Sequence, residues 1–467
     1  MTALPSPNTA LIDTEAMRAP VDRGDTRPLA WRLQQLDRLE RALNSREDAV
    51  LSALAADLEK PPVEAFFELV AIRQELALTR RQLQRWLAPR AVPVPLHLRP
   101  GRAATVATPL GCVLIIGPWN YPLQLCLHPL VSALAAGNTA VLKPSEHAPA
   151  TAALIAELIA EAFPAGTVQV IQGDGAVAAS LLEQRFDHIV FTGGERIGRL
   201  VMAAAARQLT PVTLELGGKS PAIVLADADL AVTARRLVWG KSLNSGQTCI
   251  APDHLLVEAS VREPLLEAMR AEHQAFFGDD PIGSGDRGRI VNQVQFDRLF
   301  GLLQGAQARG QVLIGGGSDP DRRRIGLTVV DVRDDDDPLM QEELFGPLLP
   351  VLTIDNLDQA LERVRRGPKP LALYLFSRRG EAAQAVLERS SSGSVGINDV
   401  IYQAGVPALP FGGVGASGIG AYHGQAGFDR LSHHRSVLRR PFWLDLPLRY
   451  PPYKGTLPLL KRLLGRL

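Results

Sequence analysis

Residues 113–144 read V-L-I-I-G-P-W-N-Y-P-L-Q-L-C-L-H-P-L-V-S-A-L-A-A-G-N-T-A-V-L-K-P, and the fold turns on how they are read. Two short runs rich in β-branched residues, V-L-I-I-G and A-V-L-K-P, flank an Ala/Leu-rich stretch long enough for a helix. The pattern continues through V-Q-V-I-Q-G (168–173), H-I-V-F-T-G (188–193) and V-T-L-E-L-G-G (212–218), most of these runs ending in Gly or Pro. Such alternation predicts βαβ crossovers and a parallel sheet covered on both faces, the shape of a nucleotide-binding domain. A second alternation follows Gly218, with A-I-V-L (222–225), H-L-L-V-E (254–258), V-L-I-G-G-G (312–317), L-P-V-L-T-I (349–354), L-A-L-Y-L-F-S (371–377) and G-S-V-G-I-N (393–398) as strands. The expected fold class is α/β throughout.

Upstream, residues 1–27 are rich in Pro, Thr and Asp and are expected to be loose until W-R-L-Q-Q-L-D-R-L-E-R-A-L opens a helix; residues 31–90 carry two or three amphipathic helices. The segment around residue 95, A-V-P-V-P-L-H-L-R-P, and the stretch after Asn398 fit neither alternation and are expected to pair into a smaller third unit. At 467 residues the chain holds enough for about three domain-sized units. A net charge of +1 gives no global field to recruit nucleic acid, so no nucleic-acid partner is expected. The N-terminus does not read as a signal peptide and no apolar run spans a bilayer, so the expectation is a cytoplasmic protein.

The chain has three cysteines, Cys112, Cys126 and Cys249, an odd count without a close pair, which argues for a reducing compartment rather than a disulfide framework. Cys112 and Cys126 lie in or beside apolar runs and read as core residues. Cys249 stands in N-S-G-Q-T-C-I-A-P-D (244–253), whose polar approach suits a chemical role, with a small core filler as the alternative. No metal site is expected, since there is no C-x-x-C or H-E-x-x-H and only His433 and His434 are adjacent. The D-D-D-D-P run at 334–338 lacks EF-hand spacing and reads as a solvated turn.

Ligands of such sheets bind beyond the carboxyl ends of the strands. There G-P-W-N-Y-P (117–122) presents the Asn120 amide between two prolines, although Asn also serves turns locally. Lys143 and Glu146 of K-P-S-E suit ribose hydroxyls or form a plain surface ion pair. In G-G-E-R-I-G, Gly193, Gly194 and Gly198 permit close approach of a pyrophosphate at a helix start. The G-x-G-x-x-G at Gly413, Gly415 and Gly418 follows no strand, so it is read as a turn-rich loop near the active site or an interface. Glu215, at an apolar strand end, is either a base raised by burial or an ion-paired structural residue.

G-P-W-N-Y-P, K-P-S-E, F-T-G-G, L-E-L-G-G-K-S-P, N-S-G-Q-T-C-I-A-P-D, E-E-L-F-G-P and P-F-G-G-V-G-A-S-G-I-G, in this order, resemble the motif set of the aldehyde dehydrogenase superfamily over about Leu36 to Ser436. W-G-K before the cysteine motif, G-A-Y-H-G and R-Y-P-P-Y are similar to its class 3 branch, which takes aromatic and medium- to long-chain aliphatic aldehydes with NAD or NADP. The resemblance implies Cys249 as nucleophile, Asn120 and the Cys249 N–H as oxyanion donors, and Glu215 as the base that activates water. It also implies Glu343 at the nicotinamide ribose, Phe345 near the ring, Trp119 in the cofactor site, and Lys143 and Glu146 at the adenosine ribose, with NAD favoured and NADP accommodated. Tyr121, Leu125, Trp239, Thr248 and Ile250 resemble substrate-funnel positions. Gly194 stands where many relatives have Ser, which leaves only backbone to anchor a diphosphate. The alternatives are a CoA-acylating dehydrogenase, disfavoured by Glu215, and a non-enzymatic binding protein, disfavoured by the intact Cys249, Glu215 and Asn120.

The implied organisation is a dinucleotide-binding domain (1–88 and 112–214), a catalytic domain (215–398), a bridging and oligomerisation element (89–111 and 399–440) and a tail (441–467), with a homodimer as the assembly. In the tail, Leu460, Leu463, Leu464 and Leu467 share a helical face opposite Lys461, Arg462 and Arg466, with Pro458 and Gly465 limiting the helix. That pattern suits weak contact with an anionic membrane, a cover over the substrate funnel, or docking on the other subunit.

Overall fold

The computed structural model describes residues 12–445, 447–453 and 455–464, so Gly465, Arg466 and Leu467 lie outside the described residues, as do the side chains of Leu463 and Leu464. The first alternation becomes a six-stranded sheet in the order Gly418–Ile419, Val212–Glu215, His188–Thr192, Cys112–Ile116, Thr139–Lys143 and Val168–Val170. Every pairing is parallel except the Gly418–Ile419 edge, which runs antiparallel to Val212–Glu215. Both faces are covered, which is why these strands read as unbroken apolar runs. Val113 and Ile115 face a core shared with the helices Leu29–Ser45, Glu47–Leu58, Pro62–Leu87, Gln124–Ala136 and Pro149–Ala162. Cys112, Leu114 and Ile116 face the opposite core, with Met17, Leu181 and Val201.

Of the segment expected to be loose through residue 27, residues 1–11 lie outside the described residues, and the rest is ordered, with Ile12 already buried. A helix spans Thr14–Arg23, capped by the Asp13 carboxylate, which accepts from the Glu15 and Ala16 N–H groups at 3.1 and 2.9 Å. Met17 and Val21 are buried, and Arg18 pairs with Asp187 at 2.7 Å. Burial against the sheet decides this helix, and the local composition does not announce it.

The second alternation forms a seven-stranded sheet ordered Val312–Ile314, Thr328–Asp331, Leu348–Ile354, His254–Glu258, Pro221–Val224, Ala372–Phe376 and Ser394–Ile397. Only the Val312–Ile314 edge is antiparallel. Arg90–Val92, Arg102–Pro109 and Ser432–Arg439 make a third, antiparallel sheet with Ser432 opposite Pro109 and Arg439 opposite Arg102. Of the stretch after Asn398, then, Ser432–Arg439 pairs with Arg102–Pro109, just beyond the segment around residue 95, which adds only Ala91 and Val92 to that sheet, whereas Gly418–Ile419 joins the six-stranded sheet. In the acidic run, Asp337 caps the short Pro338–Gln341 helix and Asp335 pairs with Arg363.

Each α/β sheet supplies one segment to the site: Glu215 ends a strand of the first, while the Cys249 loop leads into His254–Glu258 of the second. Gly418 lies directly across from Glu215, with φ +150°, and a Cβ there would stand 2.3 Å from the Leu214 carbonyl oxygen. Gly418→Ala is expected to cost about 1–3 kcal/mol through this overlap and to lower the thermal midpoint. An unchanged midpoint would show that the edge pairing yields without strain.

Candidate active site

The loop carrying Cys249 begins where the Leu230–Ser242 helix ends. Asn244 (φ 50°, ψ 33°) and Ser245 (φ 53°, ψ 35°) are both left-handed, a costly arrangement for two successive non-glycine residues. It is held from several directions. The Asn244 N–H donates to Glu64 Oε2 at 2.8 Å, and the Ser245 hydroxyl to the Gly288 carbonyl at 2.8 Å. Gln247 donates from Nε2 to the Asn244 and Arg289 carbonyls at 3.0 and 2.9 Å, and its Oε1 accepts from the Val291 N–H at 3.0 Å. Cys249 follows, partly exposed, whereas Cys112 and Cys126 are buried as their apolar settings predicted.

Asn120 is 3% exposed, and its Nδ2 donates across to the Gln247 carbonyl at 3.1 Å. It is therefore bonded to the cysteine loop, beyond a merely local turn role. Tyr121 and Thr248 share a hydroxyl–hydroxyl hydrogen bond of 2.7 Å, a second tie between the same two segments. Leu125 and Ile250 belong to one buried apolar cluster, against which Tyr121, Trp239 and Cys249 pack. Trp239 stacks on Tyr402 at 5.3 Å between ring centroids.

Glu215 is 2% exposed, and neither of its carboxylate oxygens has a hydrogen-bond partner among the described residues. The ion-paired alternative thus finds no partner here. Burial alone pushes its carboxyl well above the usual range. Burial also pushes the Cys249 thiol up, and the nearby Glu343 and Glu215 carboxylates push it further; its own N–H and that of Ile250 act the other way. A thiol and a carboxyl that each resist ionisation therefore share one small space.

At the cofactor side, Lys143 Nζ pairs with Glu146 Oε2 at 2.7 Å at the end of the Thr139–Lys143 strand. Burial opposes ionisation of Glu146, but the Lys143 hydrogen bond, its own backbone N–H and the charges of Lys143 and His147 together outweigh burial and lower its pKa. Trp119 and Phe345 meet edge to face, centroids 5.3 Å apart, bringing together residues that sequence separates by more than two hundred positions. Gly193 and Gly198 leave no open cradle: a Cβ at Gly193 would lie 2.6 Å from the Phe191 ring, and one at Gly198 would lie 2.6 Å from Leu216. Gly194 alone of the three faces open space, at the N-cap of the Glu195–Arg207 helix, where backbone N–H groups suit a diphosphate. These donors, the Lys143–Glu146 pair and the Trp119–Phe345 wall fit a nicotinamide dinucleotide.

Glu343 is pushed up to about 8 by burial and then by Asp253, while the Gly218 N–H, Lys219 and Lys241 act the other way. The sequence reading missed what holds it. Asp253 Oδ1 accepts from the Leu344 N–H at 2.8 Å and pairs with Lys219. Lys219 also donates to the Leu339 and Glu342 carbonyls at 3.0 and 2.9 Å, and Arg298 to that of Leu344 at 2.6 Å. Tyr422, within G-A-Y-H-G, is buried, and the charges of Glu215 and Cys249 both bear on its hydroxyl. Lys60, from the N-terminal helices, donates to the Asn120 carbonyl at 2.7 Å.

A parallel dinucleotide-type sheet facing a second α/β domain across such a site defines a nicotinamide-dependent oxidoreductase. The chain belongs to the aldehyde dehydrogenase family, whose model matches residues 13–437. It is 42% identical over 450 residues to aldehyde dehydrogenase family 3 member H1 of Arabidopsis thaliana, covering 96% of this chain and 93% of the relative. It is 41% identical over 438 residues to the dog (Canis lupus familiaris) aldehyde dehydrogenase named dimeric and NADP-preferring, covering 93% and 96%. The solved substrate-bound state of Staphylococcus aureus AldH matches with a TM-score of 0.93 at 42% identity, over 96% of this chain and 98% of that one. The protein is an NAD(P)-dependent aldehyde dehydrogenase of the class 3-like branch.

Because burial, and then the Glu343 and Glu215 carboxylates, disfavour ionisation of the Cys249 thiol, its alkylation by iodoacetamide without cofactor should keep accelerating with pH beyond about 8.5, where an ordinary thiol is half ionised. Glu343→Gln should move that profile to lower pH. A profile centred on the ordinary thiol range in the wild-type protein would refute the electrostatic reading.

Proposed function

We propose that the chain oxidises apolar aldehydes, aromatic or medium- to long-chain aliphatic, to carboxylic acids through a covalent adduct on Cys249. The observation that carries this reading is the unpartnered, buried Glu215 carboxyl beside a partly exposed Cys249 whose loop is bonded to Asn120. Cys249 Sγ, once deprotonated, bonds to the aldehyde carbon and gives a thiohemiacetal. Its oxyanion is held by the Asn120 Nδ2 amide and the Cys249 N–H, donors placed where the charge develops. Bound nicotinamide supplies the hydride acceptor. Loss of hydride leaves a thioester on Cys249. Glu215 then takes a proton from water, the water oxygen attacks the thioester carbon, and the sulfur leaves as thiolate with release of the acid.

The mutual repulsion of Glu215 and Cys249 gives this order a physical basis. An acylated Cys249 carries no charge, so the base ionises more readily after acylation than beside a thiolate. Retention of such a base supports hydrolysis over transfer to CoA. Apolar lining by Leu125, Trp239 and Ile250, with Tyr121 and Thr248 at its polar side, supports apolar aldehydes as substrates. A Glu146 carboxylate that accepts from Lys143 suits free ribose hydroxyls, so NAD is the favoured cofactor.

The assembly proposed is a homodimer. Among the described residues the Ser432–Arg439 strand pairs on one side only, which offers an edge to a second copy, and the dog relative is named dimeric. None of the described helices is long and apolar enough to cross a membrane. The Thr456–Leu464 helix exposes Leu457 and Leu459 alongside Lys461 and Arg462, which supports a weak peripheral contact with anionic lipid as a second reading.

Cys249→Ala should abolish aldehyde oxidation and leave cofactor affinity near wild type, as read by titration; normal turnover would reject the mechanism. Glu215→Gln should give a burst of reduced cofactor followed by slow steady turnover, because thioester hydrolysis loses its base. Undiminished steady turnover would remove Glu215 from the reaction. A panel of short, long and aromatic aldehydes with both cofactors tests specificity, light scattering tests the dimer, and liposome co-sedimentation with and without residues beyond Tyr453 tests the tail.

A further inference from the structure

Behind the reacting groups, Lys60 and Glu68 form an ion pair in which both side chains have 0% exposure, joined at 2.5 Å. A buried ion pair is weak support for stability, since removing two charges from water offsets most of their attraction. What these two side chains touch is more informative. Lys60 Nζ donates to the Asn120 carbonyl at 2.7 Å and stands 4.1 Å from the centre of the Tyr121 ring. Glu68 Oε1 accepts from Lys60, and its Oε2 accepts from the Leu123 and Gln124 N–H groups at 3.1 and 3.0 Å. Apart from the bond between them, every contact named goes to residues 120–124. The same Asn120 carbonyl accepts from Asn244 Nδ2 at 2.8 Å, so the pair acts on a group already tied to the cysteine loop.

We propose that Lys60 and Glu68 are positioning residues for aldehyde oxidation: they hold the Asn120 peptide, and with it the Asn120 amide and the Tyr121 ring, in register with Cys249. This rests on the reading of Asn120 as an oxyanion donor. Lys60 lies just before the Pro62–Leu87 helix, and Glu68 is two turns inside it. Their carriers are therefore fixed by packing in the N-terminal core, and the ammonium reaches the turn from a rigid base. The Asn120 carbonyl receives one donor from each side, Lys60 and Asn244, which leaves its peptide little freedom to rotate. An oxyanion donor displaced by about 1 Å can cost on the order of 100-fold in rate, so a device that fixes this peptide contributes to the rate without touching substrate.

The test separates positioning from folding. Lys60→Met leaves Glu68 charged and unpaired and should lower the thermal midpoint. The double variant Lys60→Met/Glu68→Gln removes both charges, keeps the volume and retains an acceptor for Leu123 and Gln124. It should recover the midpoint, bind cofactor with wild-type affinity and leave the rate of Cys249 alkylation unchanged. Single-turnover formation of reduced cofactor should nevertheless fall on the order of 10- to 100-fold, a split that a merely structural pair would not produce. A wild-type single-turnover rate in a folded double variant would overturn the proposal, as would losses in alkylation and cofactor binding equal to the loss in rate. If the double variant does not fold, Lys60→Arg replaces it: the charge stays paired with Glu68 while the donor to Asn120 moves, and an unchanged single-turnover rate would again overturn the proposal. Asn120→Ala is measured in parallel. If it leaves hydride transfer intact, the oxyanion reading fails and this proposal with it; if it slows transfer while the double variant does not, only the positioning role fails.

Discussion

The reactive geometry depends on two successive left-handed residues, Asn244 and Ser245, that an ordinary chain would avoid. Their cost is offset by hydrogen bonds from parts of the chain far apart in sequence: Glu64 at the start of one helix, and the Gly288 and Arg289–Val291 segment of the catalytic half. Arg289 continues the connection, donating from Nη2 to the Ala56 and Asp57 carbonyls at 2.8 and 3.0 Å. The loop that presents Cys249 is thus anchored at once to the N-terminal helices and to the second domain. Strain of this kind persists only where surroundings over-determine it. Here they do, and the position of the thiol follows from them.

Electrostatics at the site work against charge. Glu215, Glu343 and Cys249 are all displaced toward their neutral forms by burial, and each carboxylate adds to the difficulty of ionising the thiol. Such a site holds little charge at rest, which suits the proposed reaction, in which a thiolate nucleophile and a carboxylate base act in turn. The compensating groups sit one layer back: Lys219 and Lys241 beside Asp253, and Lys60 beside Glu68. They are held off the reacting atoms and act on the segments that carry them. Lys219 and Asp253 grip the chain around Glu343 and Phe345, and Lys60 and Glu68 grip the chain around Asn120. The phenylalanine so held has φ +46°, another left-handed residue at the cleft.

Much of this was legible in order along the chain. The alternation from Val113 onward predicts a parallel sheet because strands covered on both faces have no solvent-facing set of polar positions, and the apolar runs 113–116, 140–142 and 189–191 are buried. Rejection of the G-x-G-x-x-G at Gly413 as a dinucleotide loop was sound for a local reason, since no strand precedes it. Its actual place, an antiparallel edge set against Glu215, required the pairing of Gly418 with a residue two hundred positions earlier. The Thr14–Arg23 helix escaped because its composition is that of a loose segment, and its stability comes from Met17 and Val21 under the sheet. Gly193 and Gly198 looked like room for a ligand, but Phe191 and Leu216 use that room, a fact of side-chain packing that spacing does not carry.

Sequence by itself determined the α/β class and singled out the thiol, the glutamate and the asparagine as candidates, because each sits in a local pattern whose chemistry is readable within a few residues. Tertiary structure alone decided which groups stand behind them. Lys60 and Glu68 are eight residues apart across a proline break and match no motif; nothing local says that both will reach the turn at Asn120. Tyr422 and Tyr402 come to the site from the stretch after Asn398, and Trp119 meets Phe345 from 226 positions away. The physical reason is the same in each case. A reacting group declares itself through its own chemistry and immediate neighbours, while the group that positions it is defined by proximity, and proximity between distant segments exists only after the core has packed.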